Sequence, residues 1–255
     1  MKLRILGCSG GIGSGEQTTA MLLDDDVLID AGTGVGNLSL SEMIKIDHIL
    51  VTHAHLDHVA FIPFLVDTVG SIRNKPITIH AIQPTLDTLR EHLFNWHLWP
   101  DFTKIPNDIS PYMRYETLSL GDTILLDGRR AITPLPAHHT VPTVGFQLDS
   151  GLASLVFSGD TTTNDAFWVA VNKIVNLQYL IIECAFCNQN RDIAIRSRHF
   201  CPSLLAEELE KLERNVEIFI THLKPGEADV IMEEIDQCIG KYNPRRLENN
   251  QLFEF

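Results

Sequence analysis

The chain has 255 residues, of which 44% are hydrophobic and 21% charged, and it carries a net charge of −13 at pH 7. These are the proportions of an ordinary soluble globular protein, long enough for one large domain over residues 1–255, and no apolar run approaches the ~20 residues that span a bilayer. An acidic chain with no Lys/Arg block repels polyanions, which argues against long nucleic acid as a partner; a small phosphodiester stays acceptable where bound cations reverse the local sign.

Taken in chain order, Met1–Gly7 reads as a first strand, its apolar part being too short for a signal peptide. Gly7–Gly15 is glycine-rich but lacks the Gly-Lys-Ser/Thr ending of a phosphate loop. The strand-like Thr18–Leu23 follows it, so a hairpin connection is expected. Val27-Leu28-Ile29 ends at Asp30, a carboxylate suited to supporting a ligand histidine, and Gly32–Gly36 reads as a tight turn nearby.

Ile49-Leu50-Val51 then delivers Thr52-His53-Ala54-His55-Leu56-Asp57-His58. Three imidazoles and a carboxylate within six residues are too dense for one ion. The H-x-H-x-D-H spacing suits two metals side by side, the first two histidines serving one, and Asp57 with His58 serving the other.

The same design recurs downstream. Leu155-Val156-Phe157 stops at Ser158-Gly159-Asp160, Leu180-Ile181-Ile182 at Glu183, and Ile218-Phe219-Ile220 at Thr221-His222. Strands of one sheet region would bring these ends to a common edge. His139 or His138, after Pro134-Leu135-Pro136, offers a further ligand, Asp160 could bridge two ions, and His222 completes the set.

Helices are predicted over roughly Thr85–His97, Pro202 to about Asn215, and Ala228–Ile239, the last stopping at Gly240. No internal repeat, low-complexity segment or linker is visible. The five cysteines are scattered, which predicts no disulfide framework and a reducing, cytoplasmic setting; Cys184-x-x-Cys187 lacks the second pair of a zinc knuckle. Arg191, Arg196 and Arg198 suit a solvated loop as well as they suit a phosphate or base contact.

Together, T-H-A-H-L-D-H, then H-x-x-P-x-x-G-F at His139–Phe146, S-G-D-T at Ser158–Thr161, and T-H at Thr221 resemble the metallo-β-lactamase fold superfamily across nearly the whole chain. The resemblance implies an α/β fold, a four-layer αββα sandwich of two mixed sheets with outer helices. It implies His53, His55 and His139 on one metal, Asp57, His58 and His222 on the other, and Asp160 bridging. His138 is the alternative to His139.

Within that superfamily, Ile181–Cys184 and Arg198–Pro202 resemble a segment shared by class II cyclic-nucleotide phosphodiesterases and ribonuclease Z. Leu93–Pro100 is similar to the F-N-W-x-x-W-P segment of the former, although Phe61 stands where that class has a small residue. The implied reaction is hydrolysis of a 3′,5′-cyclic nucleotide (cAMP or cGMP) to the 5′-monophosphate by a metal-bridging hydroxide. Asp57 lies in the catalytic centre, His199 is the general acid and Glu183 its support. The cofactors would be two divalent ions, zinc first, with manganese or iron as alternatives, and the resemblance implies a homodimer. Phe94, Trp96 and Trp99 would either wall the base or belong to the core. The rivals are a tRNA 3′-end endonuclease, for which no long basic Gly/Pro-rich arm is seen, and a non-catalytic metal-binding module.

Overall fold

In the computed structural model, which describes residues 1–13 and 15–255, fourteen strands form two seven-stranded sheets. Ser14, inside the Gly7–Gly15 stretch, lies outside the described residues.

The first sheet runs in chain order through β1 (Lys2–Gly7), β2 (Ala20–Leu23), β3 (Val27–Ala31), β4 (His48–Leu50), β5 (Ile77–Ile82) and β6 (Met113–Leu118). The second runs through β7 (Ile124–Leu126), β8 (Arg130–Pro136), β9 (Val144–Asp149), β10 (Ser154–Phe157), β11 (Leu177–Glu183), β12 (Glu217–Thr221) and β13 (Arg245–Arg246). The last strand, β14 (Leu252–Glu254), returns to the first sheet beside β1. In both sheets antiparallel neighbours come first, β1 to β3 and β7 to β10. Parallel neighbours follow, β3 to β6 and β10 to β13. The two halves thus share a topology that no sequence repeat announces.

Parallel neighbours need crossover connections, and helices fill them. They are α1 (Leu40–Met43), α2 (Leu56–Val59), α3 (Ile62–Val69) and α4 (Gln83–Thr88) on the first sheet. On the second they are α5 (Asp165–Asn172), α6 (Arg191–Ser197), α7 (Pro202–Leu209) and α8 (Ala228–Ile239).

Side-chain alternation builds the layers. Val27, Ile29, Leu155 and Phe157 enter the apolar core between the sheets, whereas their neighbours Leu28 and Val156 enter outer cores under the helices. Three apolar cores between four layers make the expected αββα sandwich. Among the described residues, no helix is long and apolar enough to cross a membrane, and all five cysteines are free.

Two predicted helices end early. The expected Thr85–His97 helix starts at Gln83, with Pro84 in its first turn, and closes with a wide turn over Leu89–Leu93. There Asn95 Oδ1 accepts the N–H groups of His97 and Leu98, both at 2.9 Å, offering the backbone a turn in place of a helix. The expected Pro202–Asn215 helix stops at Leu209. Asn172 takes over the chain beyond it, donating to the Lys211 carbonyl at 2.8 Å and accepting the Glu213 N–H at 2.9 Å.

Candidate metal centre and active site

The parallel strands leave their C-terminal ends along one edge, where loops of an α/β sheet build sites. Asp30 sits at the end of β3, Thr52–His58 follows β4, Asp160 follows β10, Glu183 ends β11 and His222 follows β12. His53, His55, His139 and Asp160 form one group and Asp57, His58, Asp160 and His222 a second, the ligand atoms of each group lying within 4.8 Å of one another. Asp160 is common to both: its carboxylate is 3.3 Å from His58, 3.4 Å from His222, 3.7 Å from His53 and 4.0 Å from His139. All seven residues singled out from the sequence therefore meet in space. His138 does not join them; its Nδ1 donates to the Thr163 carbonyl at 3.2 Å.

Proton accounting shows which ring nitrogens are free. Thr52 Oγ1 donates to Asp30 at 2.8 Å, so His53 Nδ1–H must donate to Thr52 Oγ1 at 3.0 Å. His58 Nδ1–H donates to Asp30 at 2.7 Å, and His139 Nδ1–H donates to the Arg198 carbonyl at 3.0 Å. In each case Nδ1 carries a proton and Nε2 is the nitrogen turned toward Asp160. Burial disfavours the charged form of His58, but the Asp160 and Asp30 carboxylates outweigh it and hold that ring well above the ordinary histidine range, so a cation at Nε2 would displace a proton. His53 Nε2, His58 Nε2 and His222 Nδ1 are buried with no partner in hydrogen-bond geometry. A buried polar atom left unpaired costs about 1–3 kcal/mol. Three of them around two carboxylates fit divalent cations and little else. Burial pushes the His222 imidazole down to about 3 and the His139 imidazole down to about 4, so both rings are neutral at neutral pH, the form in which an imidazole can hold a metal.

Strain collects here. Asp30, Arg198 and His222 have φ of +54°, +54° and +63°, the left-handed region that costs an L-residue roughly 1–2 kcal/mol. His222 is held there by its N–H on the Cys8 carbonyl at 2.8 Å. Gly10 lies against it, and a Cβ on Gly10 would stand 2.5 Å from the His222 oxygen. Here the glycine-rich stretch gives the backbone close approach to His222, a role that local spacing does not announce.

Beside both groups lies a second apparatus. His199 Nδ1 is 2.8 Å from Glu183 Oε1, and Glu183 also accepts the N–H groups of Thr161 at 3.0 Å and Phe200 at 3.2 Å. The His199 ring stacks on His222, with centroids 5.2 Å apart, and meets His139 edge-on at 4.8 Å. Burial disfavours its charged form, but the Glu183 carboxylate outweighs this and holds His199 above the ordinary histidine range. Of the three aromatic residues considered for a base wall, Phe94 is buried core, Trp99 packs half-buried against Phe64, and Trp96 is exposed. Phe94 is therefore unavailable to a ligand.

Residues 25–223 match the Beta-lactamase superfamily domain. A 3′,5′-cyclic-nucleotide phosphodiesterase of Schizosaccharomyces pombe is 25% identical over 257 residues, covering 85% of this chain and 71% of that one. A ribonuclease Z of Halorubrum lacusprofundi is 37% identical over 100 residues, 36% of this chain and 32% of that one. The solved structure of unliganded yeast PDE1 superposes with a TM-score of 0.82 at 16% identity, covering 100% of this chain and 99% of that one. With its two histidine–aspartate groups at the sheet edge, the chain belongs to the beta-lactamase superfamily and is a metallo-hydrolase.

Proposed function

We propose that this protein hydrolyses a 3′,5′-cyclic nucleotide to the 5′-monophosphate. The observation that carries the reading is the buried His199–Glu183 pair at 2.8 Å, stacked beside the two histidine–aspartate groups. The cyclic-nucleotide phosphodiesterase relative supports the substrate class, and the net charge of −13 favours a small substrate over a long polyanion.

His53, His55, His139 and Asp160 would hold one divalent ion, and Asp57, His58, His222 and Asp160 the other. Zinc suits so imidazole-rich a set. Bound ions would supply an acidified water as nucleophile and neutralise charge growing on the phosphoryl oxygens. The chain's own residues do the rest. Glu183 fixes the His199 ring through Nδ1 and favours its protonated form, and Nε2 remains to donate a proton to the departing 3′ oxygen. Asp30, Thr52 and the Arg198 carbonyl hold three ligand imidazoles in the tautomer that aims Nε2 inward.

The test compares metal-loaded protein on cyclic AMP, cyclic GMP, precursor tRNA and bis(p-nitrophenyl) phosphate. Cyclic-nucleotide turnover far above that of precursor tRNA is expected. The reverse preference would move the chain to tRNA 3′-end cleavage, and no turnover of any diester would leave a metal-binding module.

A further inference from the structure

A cavity of about 450 Å³ opens beside His139, between the turn that joins β8 to β9 and Arg198. Its walls include Ile82, Pro136 and Pro142, apolar surfaces of the kind that sandwich a flat ring, and its volume lies in the range of small-ligand pockets. Two polar groups are placed on it with opposite hydrogen-bonding sense. Arg198 presents only donors: Nη1 is spent on the His139 carbonyl at 2.6 Å, and among the described residues no carboxylate pairs with the guanidinium. His138 presents an acceptor: a carbonyl cannot donate, so Nδ1–H must be the donor to Thr163 at 3.2 Å, and in the neutral ring Nε2 carries the lone pair.

The tie of Arg198 to the His139 carbonyl, on the wall of the cavity, is notable. So is its backbone, held at φ +54° where glycine or asparagine would sit without strain. The Arg198 main chain also positions a ligand imidazole, so the side chain is anchored next to the chemistry.

From this geometry we infer that the cavity beside His139 is the nucleobase pocket and that it selects guanine over adenine. Guanine shows two acceptors, O6 and N7, to an arginine fork, and shows its N1–H and N2–H₂ donors to an acceptor such as His138 Nε2. Adenine puts a donor, N6–H₂, where guanine has O6, and so meets the guanidinium donor against donor. The inference rests on the cyclic-nucleotide reading and deepens it.

The experiment is steady-state hydrolysis of cyclic GMP and cyclic AMP by the metal-loaded enzyme, with GMP and AMP as product inhibitors. The wild-type protein should favour cyclic GMP in kcat/KM by about tenfold or more, and GMP should inhibit more tightly than AMP by a similar factor. Arg198→Asn, which tolerates the left-handed backbone, should bring the ratio near unity, chiefly by raising KM for cyclic GMP. His138→Ala should lower the ratio by a smaller factor. The ratio is the readout because loss of metal or of folded protein reduces both nucleotides together. Equal use of the two nucleotides, an adenine preference, or an unchanged ratio in folded, metal-replete Arg198→Asn would overturn the inference and leave the phosphodiesterase reading standing. Cleavage of bis(p-nitrophenyl) phosphate with neither nucleotide touched would overturn both.

Discussion

Asp30 and His58 stand 28 residues apart in the chain and 2.7 Å apart in the structure, carboxylate to Nδ1. Both are fully buried, and Asp30 also accepts the Thr52 N–H at 2.8 Å. This one carboxylate thus orients His58 and, through the Thr52 hydroxyl, His53. Supporting contacts of this kind are worth roughly 10–100-fold in metal affinity. Asp30→Asn, which keeps the shape and tolerates φ +54°, should weaken binding by about that factor. Competition against a chelator measures it; unchanged affinity would remove Asp30 from the metal site.

His139→Ala should lose metal, whereas His138→Ala should retain most of it. The first ring has Nε2 3.2 Å from His55 Nδ1, a gap an ion could fill, while the second bonds to Thr163. Metal content after dialysis decides. Equal loss in both variants would count against the assignment.

If His199 protonates the leaving oxygen, His199→Ala should keep both metals and lose ~10²–10⁴-fold in kcat on a cyclic nucleotide. The loss should shrink sharply on a p-nitrophenyl ester, whose leaving group needs little protonation. Glu183→Gln should give a weaker version of the same pattern, because Glu183 acts through the imidazole. Equal losses on both substrates would mean that His199 positions the phosphate and donates no proton.

Away from the site, burial beside His48 pushes His80 down to about 4, and its Nδ1 has no hydrogen-bond partner. The unfolded chain takes up this proton near pH 6.5 and the folded one only near pH 4. Stability from the neutral ring is therefore present above about pH 6.5 and lost as pH falls toward 4, a change on the order of 3 kcal/mol. Urea unfolding across that window, at equal metal loading, should show a flatter acid limb for His80→Gln than for the wild type. Parallel limbs would refute the assignment.

The local part of this protein was legible in its residues. Apolar runs stopping at Asp30, Asp160, Glu183 and His222 named strands and the polar groups at their ends, because a buried strand must be apolar and its emerging loop need not be. The density of His53–His58 announced two groups able to hold metals for the same reason: its spacing is a property of six consecutive residues. Helix ends escaped, since Asn95 and Asn172 stop helices with side-chain hydrogen bonds that compete with the backbone's own. The meeting of His139 with His53 and His55 is decided by tertiary structure. Only the folded sheets bring the carbonyl of Arg198, 59 residues downstream, onto His139 Nδ1. Only they press Gly10 against His222, leave His138 turned toward Thr163, and open the cavity between Arg198 and the β8–β9 turn. These relations depend on how two sheets pack, and packing is set by the summed burial of three apolar cores, not by the identity of any one neighbour along the chain.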